Sequence, residues 1–83
     1  MNSLEALQAL VTETLAEADR TRSAKLLMAT RELDLIVDRL ATGGVTRKEL
    51  VNATQVVVIQ AGLVDASTEF RFAPVVKAIA ATL

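Results

Sequence analysis

Between Val45 and Gly62 the chain reads VTRKELVNATQVVVIQAG, and few architectures can house such a segment. Thr46 followed three residues later by Glu49 is the pattern of a capping box, in which each side chain answers the other residue's backbone N–H. Val45, just before that cap, and Leu50, four residues after it, are spaced to close as a hydrophobic staple. Leu50, Val51, Ala53, Val56, Val57, Val58, Ile59 and Ala61 then leave almost no polar face. A helix that is apolar nearly all round has to be enclosed on most sides. Gly62 supplies a natural left-handed stop. The β-branched run Val56 to Ile59 suits a strand on propensity alone. The cap, the staple and the terminal glycine together favour a helix over 46–61.

The chain before this segment is free of glycine and proline from Asn2 to Thr42. Asn2 and Glu5 form a relaxed capping box. Leu4, Leu7, Val11, Thr14 and Ala18 follow at helical spacing, widened by Leu10 and Leu15, while Glu5, Glu13 and Glu17 lie off the stripe. The pattern turns polar over DRTRSAK, residues 19–25. Either the chain turns there and Ser23 caps a second helix, or one long helix runs through, supported by the pairs Glu17–Arg20 and Asp19–Arg22. The turn is slightly favoured. Leu26, Ala29, Leu33, Ile36 and Leu40, flanked by Val37 and Ala41, then form a second stripe that Gly43-Gly44 ends. So short a link makes neighbouring helices antiparallel or sharply angled.

Beyond Gly62, Asp65 or Ser67 is placed to cap a turn, and Glu69-Phe70-Arg71-Phe72 alternates like a brief extended piece. Pro74 disfavours helical geometry at Ala73 and fits the first turn of a last helix, with Val76, Ile79 and Leu83 on one side and Val75 nearby. The expected fold is all-α: a single domain over residues 1–83, a bundle of three or four helices with the 46–61 helix innermost.

Composition bears on whether that bundle stands alone. A domain of 83 residues buries only about 60–65% of the surface its unfolded chain exposes. Yet 52% of the residues are apolar, nearly all aliphatic or alanine, and mean hydropathy is +0.40. The alternatives are a monomer with many surface alanines and an oligomer that completes the core; the second is favoured, a homodimer first. The residues expected to meet a partner or second copy are Leu4, Leu7, Val11, Leu26, Leu33, Ile36, Leu40 and Val57.

Chemistry-bearing residues are few. Cysteine and histidine are absent, which removes disulfides, thiol chemistry and imidazole ligands. Asp34 with Asp38, and Glu13 with Glu17, stand four apart on helix faces; such pairs can share a proton or a divalent ion, but on solvated helices they are usually an ordinary acidic face. Gly43-Gly44 lacks the length and Lys-Ser/Thr ending of a phosphate loop. Net charge is −1 with signs mixed, and aromatic residues for base stacking are lacking, so nucleic acid is not an expected partner. A helix-turn-helix beginning at residue 46 would give DASTEFRFAP as its reading segment, with one arginine and a breaking proline. That changes only if a dimer gathers Arg20, Arg22, Lys25, Arg47 and Lys48 onto one face. The N-terminus has no basic region of a signal peptide, and the longest apolar run falls far short of the ~20 residues of a membrane span. The expectation is a cytoplasmic protein with neither cofactor nor metal.

One local likeness concerns Ser23 to Val37, SAKLLMATRELDLIV. It resembles the motif helix of the small aspartyl-phosphate phosphatases of sporulation control, whose Ser-Gln-Glu-Leu-Asp engages a phosphorylated response regulator. The motif falls on Thr30-Arg31-Glu32-Leu33-Asp34, and the resemblance implies Asp34 as the functional carboxylate. Arg31 stands where that family has glutamine, and nothing after Leu40 follows its pattern. Three functions remain in view. The first is a non-enzymatic interaction module, a small regulator or inhibitor docking on a larger bacterial or phage protein. The others are a phosphatase using Asp34 and a structural assembly subunit of viral type.

Overall fold

The chain turns within the polar stretch 19–25, at Arg22 and Ser23. In the computed structural model, which describes residues 3–40 and 42–82 (without the side chains of 3, 68–70, 78–80 and 82), α1 spans Ser3–Thr21 and α2 spans Ala24–Leu40. Arg22 takes the left-handed conformation, φ 55°, that closes α1. The N–H of Ser23 returns to the carbonyl of Ala18 at 3.1 Å and that of Arg22 to Asp19 at 3.4 Å, the paired bonds of a Schellman ending. Ser23 then opens the next helix, its Oγ accepting from the N–H of Leu26 at 3.1 Å. The end of α2 repeats the device with Gly43 at φ 79°: Gly44 N–H bonds to Arg39 O and Gly43 N–H to Leu40 O, each at 3.2 Å.

Helix α3 spans Arg47–Val64, valines included, so the 46–61 segment is helical. Thr46 is its N-cap, its Oγ1 accepting from Glu49 N–H at 3.2 Å. Val45 and Leu50 both pack on the core, where the staple places them. Gly62 does not stop the helix. It lies within α3, and Asp65 ends it instead, giving its N–H to the Ala61 carbonyl at 2.9 Å. A glycine inside a helix costs only about 1 kcal/mol relative to alanine, which the packing of Ala61 and its neighbours outweighs.

Asp65 also opens α4, Ala66–Thr82, where its Oδ1 accepts from the Ser67 N–H at 3.0 Å and the Ser67 hydroxyl at 2.8 Å. The extended piece expected at 69–72 is helical, and Pro74 stands inside α4 rather than at its start. The missing N–H and the ring together cost about 3 kcal/mol. Phe72 on one side of Pro74 is fully enclosed, and Val75 and Val76 on the other pack on the core. Those contacts hold the helix together across the break. The expected cap at Asn2, the flanking Ala41 and the terminal Leu83 lie outside the described residues, as does the side chain of Ile79.

Consecutive helices pack on one another and α4 also meets α1, so the described residues form a small all-α bundle of four helices without strands. Its long dimension of 33 Å matches helices of about 25–28 Å lying along it. Helix α3 packs on all three other helices and most extensively of the four; α1 also touches all three, while among the described residues α2 and α4 do not meet. Leu7, Leu10, Leu26, Leu33, Leu50, Val57 and Phe72 form the centre of the core. Buried Thr14, Thr30 and Thr54 donate their hydroxyls to carbonyls of their own helices, Leu10, Leu26 and Val51, at 2.8–2.9 Å. No buried side-chain polar atom among the described residues lacks a partner.

Candidate functional site

The residues expected to face a partner are mostly occupied within the chain. Leu7, Leu26, Leu33 and Val57 are wholly enclosed by its own helices and Val11 nearly so. Ile36 and Leu40 are half-buried against the same core, and Leu4 lies at the surface. An apolar stripe at helical spacing marks whatever face becomes covered, and here neighbouring helices of the same chain cover most of it. Leu7, Val11, Leu26, Leu33 and Val57 belong to the chain's own core, while Leu4, Ile36 and Leu40 stay at least partly open to the outside.

A different set is left outside. Met28 and Leu35 on α2 are 71% and 64% exposed; Ile59 and Leu63 on α3 are 56% and 75% exposed, with Val56 and Val64 partly so. Met28 and Leu35 are two helical turns apart, and Val56, Ile59 and Leu63 follow 3–4 spacing, so each set lies along one side of its helix. Arg39 near the end of α2 meets Glu49 near the start of α3 at 3.4 Å, so the two helices run antiparallel. Between them lies an open groove of about 480 Å³, floored by Ala29, Ile36, Ala53 and Val56, with Leu35 on its rim. Glu32, Arg39, Glu49 and Asn52 supply its polar edge. This face was missed in the sequence because α3 read as enclosed all round. The signal was present in the excess itself: a helix in a four-helix bundle buries about half its circumference, and α3 has aliphatic residues on more than half.

A second concentration of chemistry lies where α1 ends. Glu17, placed off the stripe by spacing, is in fact buried. Its carboxylate takes the Arg20 guanidinium through both Nη2 and, at 3.3 Å, Nε, and lies 3.7 Å from Arg71 Nη2 on α4. Arg20 Nη2 also reaches Asp65 Oδ2 at 3.6 Å. The Arg71 guanidinium sits 4.6 Å from the centre of the Phe72 ring. Hydrogen bonding from Arg20, opposed by burial and aided by the charges of Arg20 and Arg71, holds the Glu17 carboxyl below the usual range. The Ser67 hydroxyl and N–H, with smaller help from the two arginines, lower Asp65 as well. All these groups satisfy one another, and they tie α1 to the α3–α4 junction. The arrangement is a structural clasp.

Asp34, Asp38 and Glu13 are exposed on α2 and α1. Among the described residues no group of three or more acidic side chains is placed to hold a metal ion, and no helix is long and apolar enough to cross a membrane. Arg20, Arg22 and Lys25 stand at one end of the bundle and Arg47 and Lys48 at the other, about one helix length away, so one chain does not gather them. Compared with known proteins, the chain matches no family model, no curated sequence and no solved structure.

Proposed function

We propose that the protein is a non-enzymatic interaction module, a small helical regulator or inhibitor that docks the outward α2–α3 face on an aliphatic surface of another protein. The observation that carries this reading is the groove between α2 and α3, where exposed Leu35 and Val56 stand with Ala29, Ile36 and Ala53, on two helices that also expose Met28 and Leu63. Scattered surface hydrophobes need no explanation, whereas contiguous ones rimmed by polar residues mark interaction sites. A groove between two helices with aliphatic walls suits an amphipathic helix laid along it, read through anchors at i, i+3, i+4 and i+7.

The test uses three forms of the chain as bait in a lysate of the native host: the parent, Val56→Asp and Asp34→Ala. The expected result is a protein held by the parent and by Asp34→Ala and released by Val56→Asp, since Val56 lines the groove and is exposed. Retention indifferent to Val56→Asp would overturn the docking face. Loss on Asp34→Ala instead would return the phosphatase reading to first place.

A further inference from the structure

The docking face has charges as well as an aliphatic floor, and their order along α2 points to its occupant. Glu32, Leu35, Ile36 and Arg39 all line the same groove. Glu32 and Arg39 are seven residues apart, about 10.5 Å along the helix, and their midpoint falls between Leu35 and Ile36. A two-fold axis through that midpoint, perpendicular to α2, carries Glu32 of one chain onto the level of Arg39 of the other. The operation makes the pairing twice, once on each side of the axis, and brings Leu35 and Ile36 against their own copies. An isologous interface needs this self-complementarity, a patch whose charges reverse across its centre.

The two side chains are suited to it. Glu32 is exposed and forms no ion pair with any described residue. Arg39 donates to the Gly44 carbonyl and to Glu49, both through Nη2, which leaves the Nε and Nη1 donors for another carboxylate. Leu35, Ile36 and Val56 line the groove together with these charges, and Met28 on α2 and Leu63 on α3 add exposed aliphatic area on the same two helices.

We propose that a second copy of the chain covers the α2–α3 face, the two α2 helices lying antiparallel across a dyad at Leu35 and Ile36, with Glu32 of each facing Arg39 of the other. The proposal rests on the docking reading above: the face that docks on another protein is covered by a second copy when that protein is absent. Paired charges at such a rim set register and orientation, while the aliphatic floor supplies the affinity.

Sedimentation equilibrium of the full chain, from about 1 µM to about 1 mM, is the experiment. The parent is expected to approach twice its 8.9 kDa as concentration rises. Glu32→Arg alone and Arg39→Glu alone each set like charges opposite one another and should weaken the dimer by about tenfold or more. An equimolar mixture of the two variants restores both attractions and should dimerise at least as well as the parent. Circular dichroism checks that each remains helical. If Arg39→Glu does not fold, Leu35→Lys decides the matter, since Leu35 is outside the core and its loss must abolish the dimer. A mass of 8.9 kDa at every concentration overturns the second copy while leaving the docking face to its own lysate test. A dimer indifferent to Leu35→Lys, or mixed variants that stay monomeric, overturns it equally.

Discussion

Helices α1 and α3 occupy equivalent places, diagonally across the bundle and each in touch with all the others. Their inner sides are alike: Leu7, Leu10, Val11, Thr14 and Ala18 on one, Leu50, Thr54, Val57, Val58 and Ala61 on the other. Their outer sides are not. Outward α1 shows Glu5, Gln8, Thr12 and Glu13, whereas α3 shows Val56, Ile59 and Leu63. The bundle therefore has little need of aliphatic residues on the outside of a diagonal helix, since α1 shows only Leu4, in its first turn. What α3 has in addition is available for something other than folding.

The sharpest way to break this comparison is to place the same charge on the two sides of α3. Val57→Asp sets an unpaired carboxylate in an aliphatic interior where the wild-type side chain is 0% exposed. The expected loss exceeds about 3 kcal/mol, a large part of a total stability of about 5–10 kcal/mol. Ile59→Asp, two residues on, should melt within about 1 kcal/mol of the parent. Thermal melting of both decides. If Ile59→Asp unfolds the chain, the outer side of α3 belongs to the fold after all.

Pro74 gives a test of sign outside both helices. Inside α4, Pro74→Ala restores a donor and should stabilise the protein by about 1–3 kcal/mol, the lower end allowing for a freer unfolded chain. A proline opening a helix would give the opposite sign. Urea titration reads the difference.

A smaller effect concerns how α1 is anchored. Glu17 is held by Arg20 and Arg71, so its folded pKa lies below its ordinary 4.5. The stability this contributes is fully present above pH 4.5 and is lost as pH falls through the lower folded value. Glu17→Gln should therefore cost about 1 kcal/mol at neutral pH, limited by solvent screening at the largely exposed Arg20, and progressively less as the pH is lowered below 4.5. Melts of both forms across a descending pH series check it. The smallest change expected is Asp38→Ala on the exposed side of α2, within about 0.5 kcal/mol of the parent by the same melts.

Features governed by adjacent residues were legible in the sequence. Ser23 and Thr46 cap where their spacing says, because a side-chain oxygen can reach an N–H two or three residues on whatever surrounds it. The four-helix fold and the burial of Val57 follow from stripes of the same local kind. Gly62 and Pro74 misled because their preferences are worth about 1 and 3 kcal/mol, and a distant contact can exceed either. Here Phe72, Val75 and Val76 hold α4 together through Pro74. The exposed aliphatic side of α3 was hidden for another reason. Periodicity shows which residues share a face, but whether a sister helix or a foreign one covers it depends on how many helices the chain brings. Glu17 shows the converse: a charge off the stripe entered the interior because Arg20 and Arg71 came with it.

The connections between helices differ in length. Arg22 and Ser23 join α1 to α2, and Asp65 alone joins α3 to α4, whereas residues 41–46 separate α2 from α3. Thr42, Gly43 and Gly44 there are exposed, and a Cβ at either glycine would meet nothing within 4 Å. Limited proteolysis should therefore open the chain in this one stretch, since a protease needs several exposed residues in extended form. Each product would be a complete hairpin with its own internal pairing, α1–α2 or α3–α4. Two such halves share a core yet need no covalent link to recognise each other, so the nicked protein should stay associated and remain helical. The same economy means that most native contacts arise between neighbours in the chain, which favours folding in microseconds to milliseconds.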